Sequence, residues 1–351
     1  MRNDIKVVDF FCGIGGLTHG LRKAKLNVVA GVDSDGSCKF AYEANNKGAR
    51  FIEKPIENIQ TREIKDLLKG AEWKIFVGCA PCQPFSSYNL KMRRYVKNKG
   101  PWNLINVFME KIKEVEPDIV SMENVPQLAS QDVFRKFIKQ LDENGYYRQH
   151  KILNCADYGI PQSRRRLVLL ASRYSEIKWI PPTGKRKTLK DVIGRMSKLS
   201  HGERHNRDRL HVSARLKEIN LKRIEKSSPG GTWLDWPQSL RPECYKKPSG
   251  QTYKNVYGRM LWELPAPTIT GQFYRYGTGR FGHPEQDRAL SLREGSRIQT
   301  FPNDYKFVPR GQKICMRTIG MHIGNAVPVD LGEMIGKTIL AHIKEVNNHA
   351  I

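Results

Sequence analysis

Two cysteines stand three positions apart in the stretch FVGCAPCQPFSSYN, residues 76–89, directly after an apolar run and with Pro81 and Pro84 bracketing the second. Three chemistries share that spacing: half of a zinc site, a dithiol redox pair, or one nucleophilic thiolate with an incidental neighbour. Zinc needs two more ligands at compatible spacing, and the other cysteines, Cys12, Cys38, Cys155, Cys244 and Cys315, are scattered singly. His201, His205 and His211 lie among so many Arg and Lys residues that solvated or polyanion-facing histidines are the better reading, and no metal site is expected. A thioredoxin-like pair opens a helix in a small βαβ domain, whereas Pro84 and Ser86–Ser87 favour a loop. The rest of the sequence has to supply the context for the pair.

The elements that must position these thiols are legible in the first half. Short apolar runs at 5–11, 27–33, 74–80, 117–124 and 166–172 alternate with helical-period segments such as LTHGLRKA and VFRKFIKQLDENG, the latter closed by Gly145. That alternation predicts an α/β fold, a doubly wound, mostly parallel sheet with helices on both faces. From about 181 the texture becomes basic and punctuated by Pro and Gly up to about 268, which marks a smaller, loop-rich module. The expected division is a first domain of residues 1–180 completed by 318–351, and a second of 181–317. The segment DLGEMIGKTILAHIKEV reads as an amphipathic helix closing back onto the first domain.

Charge narrows the partners. The 351 residues carry 60 Lys and Arg against 35 acids, a formal charge of +25. Residues 181–264 alone hold 19 basic against 8 acidic residues, a net of +11. Such a surplus repels itself unless a polyanion neutralises it, and nucleic acid is the leading candidate. No apolar run approaches the ~20 residues of a membrane span. The N-terminus moves straight into a strand without an h-region or cleavage site, and seven cysteines without framework spacing fit free thiols in a reducing, cytoplasmic compartment.

The first run ends in DFFCGIGG and the second in GVDSD about twenty residues later. Gly13, Gly15 and Gly16 let backbone approach a ligand at a helix N-terminus, and Asp33 after the next strand can accept from ribose hydroxyls. A nucleoside cofactor is implied, without separating NAD from S-adenosylmethionine.

These features, taken in order, resemble the cytosine-C5 DNA methyltransferases. DFFCGIGG is similar to that family's first motif, PCQPFS to its nucleophile motif, ENVP (123–126) to its glutamate motif and QSRRR (162–166) to its QxRxR motif; LREGSRIQTFPNDY (292–305) and GNAVPVDLG (324–332) resemble the two closing motifs. The resemblance implies S-adenosylmethionine as cofactor and methyl transfer to carbon 5 of cytosine at one short double-stranded DNA site, with base flipping and a covalent Cys82 adduct. It makes Cys79 a small buried residue ending its strand. Glu123 would bond ring N3 and the exocyclic amine, with Arg164 and Arg166 orienting it and reaching cytosine O2.

For the cofactor, the resemblance implies Phe11 against the adenine, Asp33 on the ribose, and Pro81, Asn325 and Val327 lining the remainder beside the glycine turn. The family usually offers an Asp to the adenine amine; here that position falls on Asn58, with Glu57 beside it. Gln83, Ser87 and the basic run with Lys91, Arg93 and Arg94 would contact DNA around the flipped base, and Arg275 and Arg280 lie in the segment that would read sequence. Trp233, Trp236 and Trp262 read as core rather than base-stacking residues. The implied context is a prokaryotic restriction-modification system, with a monomer on DNA and a cognate endonuclease that acts on the same site without stable association. Two rivals stand beside it: a tRNA cytosine-5 methyltransferase of the same fold, and a non-catalytic DNA-binding homologue.

Overall fold

The computed structural model describes residues 4–81, 103–250 and 252–349. The strands are β1 (Ile5–Phe10), β2 (Val28–Asp33), β3 (Arg50–Glu53), β4 (Trp73–Gly78), β5 (Ile119–Asn124), β6 (Tyr147–Asn154), β7 (Gln162–Ser163), β8 (Arg165–Ser172) and β9 (Ala266–Pro267). The helices are α1 (Gly16–Lys23), α2 (Lys39–Asn45), α3 (Thr61–Leu67), α4 (Asn103–Val115), α5 (Asp132–Glu143), α6 (Leu189–Ile193), α7 (Glu218–Glu225), α8 (Glu243–Lys246), α9 (Leu292–Ile298), α10 (Met316–Asn325) and α11 (Val329–His349). Seven strands form one sheet in the order β3-β2-β1-β4-β5-β8-β6. Neighbours from β3 to β5 are parallel, and β8 alone runs against its partners β5 and β6. The doubly wound, mostly parallel sheet expected from the apolar runs is therefore present.

The central strands are apolar on both faces because both faces are covered. Phe10, Phe76, Val120, Met122, Leu167 and Leu169 share a core with residues of α4 and α5. There Phe108 stacks on Phe137 at 6.2 Å between centroids. The opposite face carries Ser172, whose hydroxyl meets His342 Nε2 of α11 at 2.8 Å. Helix α11 packs closely on α1. A Cβ at Gly20 would collide with the backbone of Val329 and Glu333, and one at Gly332 would lie 2.9 Å from the Leu17 carbonyl. The closing helix thus docks on the first, within one unit, as its amphipathic pattern predicts.

Two edge strands gave no apolar run. β6, YRQHKILN, buries only Leu153, and β3 buries only Phe51 and Ile52. An edge strand covered on one side has no need of continuous apolar sequence. Gly145 does close α5, with φ +76°.

The chain divides into two compact units: residues 1–154, 165–182 and 327–351 in the first, 155–164 and 183–326 in the second. The division thus departs from the expected one, since 155–164 and 318–326 go with the second unit. β7 pairs with β9, and Gln162, fully buried, accepts from Ile269 N at 2.8 Å and donates to Gln299 Oε1 at 2.8 Å. α10 presses Gly324 against Thr270, where a Cβ would not fit.

Short helices and turns dominate the second unit, and an aromatic cluster supplies part of its core. Trp233 and Trp236 are buried with Ile224, Val256 and Tyr276, and Trp233 stacks on Tyr245 at 4.9 Å. Trp262 meets His283 edge-on. His211 corrects the sequence reading: it is 2% exposed, with Nδ1 2.9 Å from Ser291 Oγ and Nε2 2.8 Å from Ser197 O. Arg288 and Glu294, both buried, form paired contacts of 2.8 and 2.7 Å. Burial alone would raise the Glu294 pKa, but the Arg288 guanidinium holds it down to about 2.

His283 beside this pair makes the unit acid-sensitive. Its Nδ1 accepts backbone N–H bonds from Glu285 at 3.1 Å and Gln286 at 3.0 Å, so protonation there removes two acceptor bonds. Burial, opposed by Glu294 and aided by Arg288, lowers its pKa from 6.5 to about 4. Between those two pH values the unfolded chain binds a proton that the native ring refuses, so stability falls as pH drops through that window, by a total on the order of 3 kcal/mol. Urea midpoints followed by tryptophan emission at pH 7 and 4.5 should show the loss, and His283→Asn should flatten it. An unchanged slope in that variant assigns the acid sensitivity elsewhere.

Candidate active site

Strand order reverses between β1 and β4, and open α/β sheets bind ligands outside the carboxyl ends of the strands at that point. The turn after β1 and the Cys79–Pro81 segment after β4 both emerge there. The turn is tightly wound: Phe11, Gly13 and Gly15 have φ of 60°, 50° and 85°. Phe11 alone of the three carries a Cβ in this left-handed region, a conformation costing of order 1–3 kcal/mol that the surroundings must hold. Cys12 N bonds Val32 O at 3.2 Å, and Gly15 N bonds Cys12 O at 2.9 Å.

Asp33 is fixed from both sides. Its Oδ2 accepts from Gly13 N at 2.8 Å and its Oδ1 from Asp35 N at 2.9 Å. Burial raises its pKa while those N–H groups oppose the rise. A Cβ built on Gly13 would meet nothing within 4 Å, so open space lies beside the turn that holds this carboxylate. Gly16 begins α1. Phe11 is half-buried, with its ring edge-on to Phe108 at 6.5 Å. Asn58 ends a short turn after β3 and is exposed, as is Glu57.

The carboxyl end of β5 carries Glu123, 3% exposed. The parallel ladder pairs Gly78 with Met122, so the residue just past the end of β4, Cys79, comes level with Glu123 on the same face. Its Sγ donates to Glu123 Oε2 at 2.7 Å. On the other flank, β8 pairs Val168 with Glu123, which puts Arg166, two residues away, on that face too. Arg166 Nε lies 2.8 Å from Oε1, a charge contact without the alignment of a hydrogen bond. The acid is therefore held between a thiol and a guanidinium from its two neighbouring strands.

Cys79 is thus not the buried filler expected; it is half-buried and bonded to the acid. Asn124, also missed, donates from Nδ2 to Ala80 O at 3.0 Å and so ties down the chain two residues before Cys82. Pro81, half-buried, follows Ala80. Cys82, Gln83, Ser87, Lys91, Arg93 and Arg94 lie outside the described residues.

Other expected residues fall elsewhere. Arg166 is the arginine whose contact with Glu123 is shown; Arg164 is buried in the second unit, where Nη1 donates to Ile269 O at 2.9 Å. Asn325 ends α10 in the second unit, exposed, and Val327 is buried in the first. Gln299, within a quoted motif but not singled out, links Gln162 to the carbonyls of Ile323 (2.7 Å) and Ala326 (2.9 Å). Arg275 is exposed. Arg280 is half-buried, crossing Gly258 so closely that a Cβ there would collide with it, and its Nη2 donates to Asn255 Oδ1 at 3.0 Å. No helix of the described residues is long and apolar enough to cross a membrane.

The fold is that of the doubly wound α/β enzymes, which do their chemistry at the carboxyl ends of their strands. The family model for C-5 cytosine-specific DNA methylases matches residues 5–341. The Type II methylase M.HgiDII of Herpetosiphon aurantiacus is 51% identical over 95% of this chain and 94% of its own. The chain belongs to the C-5 cytosine-specific DNA methylase family and is a DNA cytosine-5 methyltransferase. Solved structures agree in fold. A protein titled a DNA modification methyltransferase encoded within an E. coli prophage superimposes with a TM-score of 0.75 at 18% identity, covering 97% of this chain and 99% of that one. A Spodoptera frugiperda DNMT2 variant superimposes at 0.68, also at 18% identity, covering 96% and 99%.

Proposed function

We propose that this methyltransferase uses S-adenosylmethionine to methylate cytosine within one short double-stranded DNA sequence, through a transient covalent bond to Cys82. The observation that carries the reading is Glu123, buried and gripped by Cys79 and Arg166 at the end of the strand beside the one that leads to Cys82. The cofactor fits the residues present: Asp33 offers fixed carboxylate oxygens, Phe11 an aromatic ring, and Gly13 open space. When bound, S-adenosylmethionine supplies an electrophilic methyl group on a sulfonium sulfur. Pro81, Asn325, Val327 and Asn58 complete the proposed set, with Gly15 and Gly16 giving backbone access.

Carbon 5 of cytosine is too weak a nucleophile by itself. The Cys82 thiolate adds to carbon 6, forming a C–S bond and pushing an electron pair toward N3, where Glu123 donates a proton. Carbon 5 is then the nucleophilic end of an enamine. Once it is methylated, loss of its hydrogen as a proton, departure of the Cys82 sulfur as thiolate and return of the N3 proton to Glu123 restore the neutral aromatic ring. Arg166 holds Glu123 and neutralises its charge between turnovers. A cytosine inside a duplex is out of reach, so the base flips out, and the basic residues after Cys82 offset part of the unstacking by phosphate contacts. The Type II name of M.HgiDII supports a restriction-modification role; a prokaryotic cytoplasm and a monomer on DNA are part of the same proposal.

Bisulfite sequencing of genomic DNA from a methylation-deficient host expressing this chain tests the reading. Converted reads should retain cytosine at one short recurring sequence. Unmodified DNA, with methylation found instead on tRNA, would refute it. The same readout separates affinity from specificity. Neutralising Lys91, Arg93 and Arg94 should weaken binding to every sequence and flatten its salt dependence with the methylated site unchanged. Substitution of Arg275 or Arg280 should relax or redirect the site, because base-edge contacts discriminate by ~1–3 kcal/mol each. The reverse pattern would overturn that division of roles.

A further inference from the structure

We infer that Cys79 is a positioning residue for the methyl-transfer step: its thiol fixes the rotamer of Glu123 by donating to Oε2, while Arg166 faces Oε1. The inference rests on the proposed role of Glu123. Three observations carry it. The β4–β5 register brings Cys79 level with Glu123 on one face of the sheet. The thiol makes a 2.7 Å contact with Oε2. Glu123 is 3% exposed, so solvent does not supply a substitute donor easily, and Oε1 has the Arg166 charge beside it but no aligned hydrogen bond.

The choice of a thiol has a physical rationale. With a charged partner already beside Oε1, the donor at Oε2 has only to orient the carboxyl. S–H is a weak donor. It fixes orientation without placing a second charge beside the carboxyl. The second grip comes from Arg166 as charge rather than as an aligned bond. Glu123 is thereby oriented from both flanks.

Kinetics on the full chain test this, with unmethylated genomic DNA and tritiated S-adenosylmethionine as substrates. Cys79→Ala and Cys79→Val, the first removing volume and the second filling it without a donor, should each lower kcat by about tenfold. KM for DNA should stay within about twofold, since the thiol acts on the reacting acid and not on DNA. Cys79→Ser, which restores a donor, should recover most of kcat. In a Glu123→Gln background, itself down at least a hundredfold as loss of a general acid predicts, Cys79→Ala should cause no further loss. Thermal midpoints of all variants check that each is folded. Wild-type kcat in Cys79→Ala and Cys79→Val, serine no better than alanine, or losses that add in the double variant would each overturn the inference and leave the role of Glu123 standing. Full activity in Glu123→Gln would overturn both.

Discussion

Cys82→Ser should abolish methyl transfer, a fall of about ten-thousandfold or more, while binding of DNA and of S-adenosylmethionine is kept. The reason lies in the first bond. Addition at carbon 6 needs an anionic nucleophile near neutral pH; a thiol reaches that state readily, and a serine hydroxyl without an adjacent base does not. DNA bearing 5-fluorocytosine gives the sharper readout. Fluorine at carbon 5 cannot leave as a proton does, so the wild type should form an adduct stable to denaturation, and only with cofactor present. Cys82→Ser should form none. Cys79→Ser should still form it, because its altered residue touches the acid rather than the base. Adduct formation by Cys82→Ser and not by Cys79→Ser would move the nucleophile to Cys79.

The second large effect is on stability. Arg288 is fully buried and its guanidinium makes two contacts to Glu294, itself 1% exposed. Arg288→Met leaves that carboxylate buried without its counter-charge, a loss of about 3–5 kcal/mol. Glu294 also accepts from Ser291 N at 2.7 Å as part of the cap of α9, so the damage extends to the start of that helix. Adding Glu294→Leu to Arg288→Met should recover much of the loss, since an apolar pair of similar volume removes the stranded charge. Urea unfolding followed by tryptophan emission measures both. A double variant no better than the single would show that packing at this position, rather than charge, sets its worth.

The parts of the molecule that the sequence discloses are those whose signal is local. The central strands are covered on both faces and appear as continuous apolar runs. The Phe11–Gly16 turn needs left-handed backbone, and glycine at two of its three such positions declares it. The edge strand β6 declares nothing, because one covered edge is compatible with YRQHKILN. Cys79 shows the other kind of limit. Its part in the site follows from the pairing of Gly78 with Met122, forty-four residues apart, and register between distant strands is not written in either segment. Arg164 and Arg166 illustrate it again: two arginines of one motif, a single residue between them, belong to different units because β8 begins at Arg165.

The glycine-mediated seat of α11 on α1 bears on the order in which the protein can mature. Helix α1 ends at Lys23 and α11 starts at Val329, with the whole of the second unit between them in the chain. At a ribosomal rate of ~5–20 residues per second, roughly 15 to 60 s pass between the emergence of one and the other. During that interval Gly20 and Leu17 have no partner helix, and the face of the sheet that carries Ser172 is bare of α11. The second unit, continuous from 183 to 326 apart from its 155–164 segment, is complete in the chain just before α11 begins. A chain cut short before Val329 and released would therefore carry the whole insert in an unfinished host, with the sheet face of Ser172 open to chaperones.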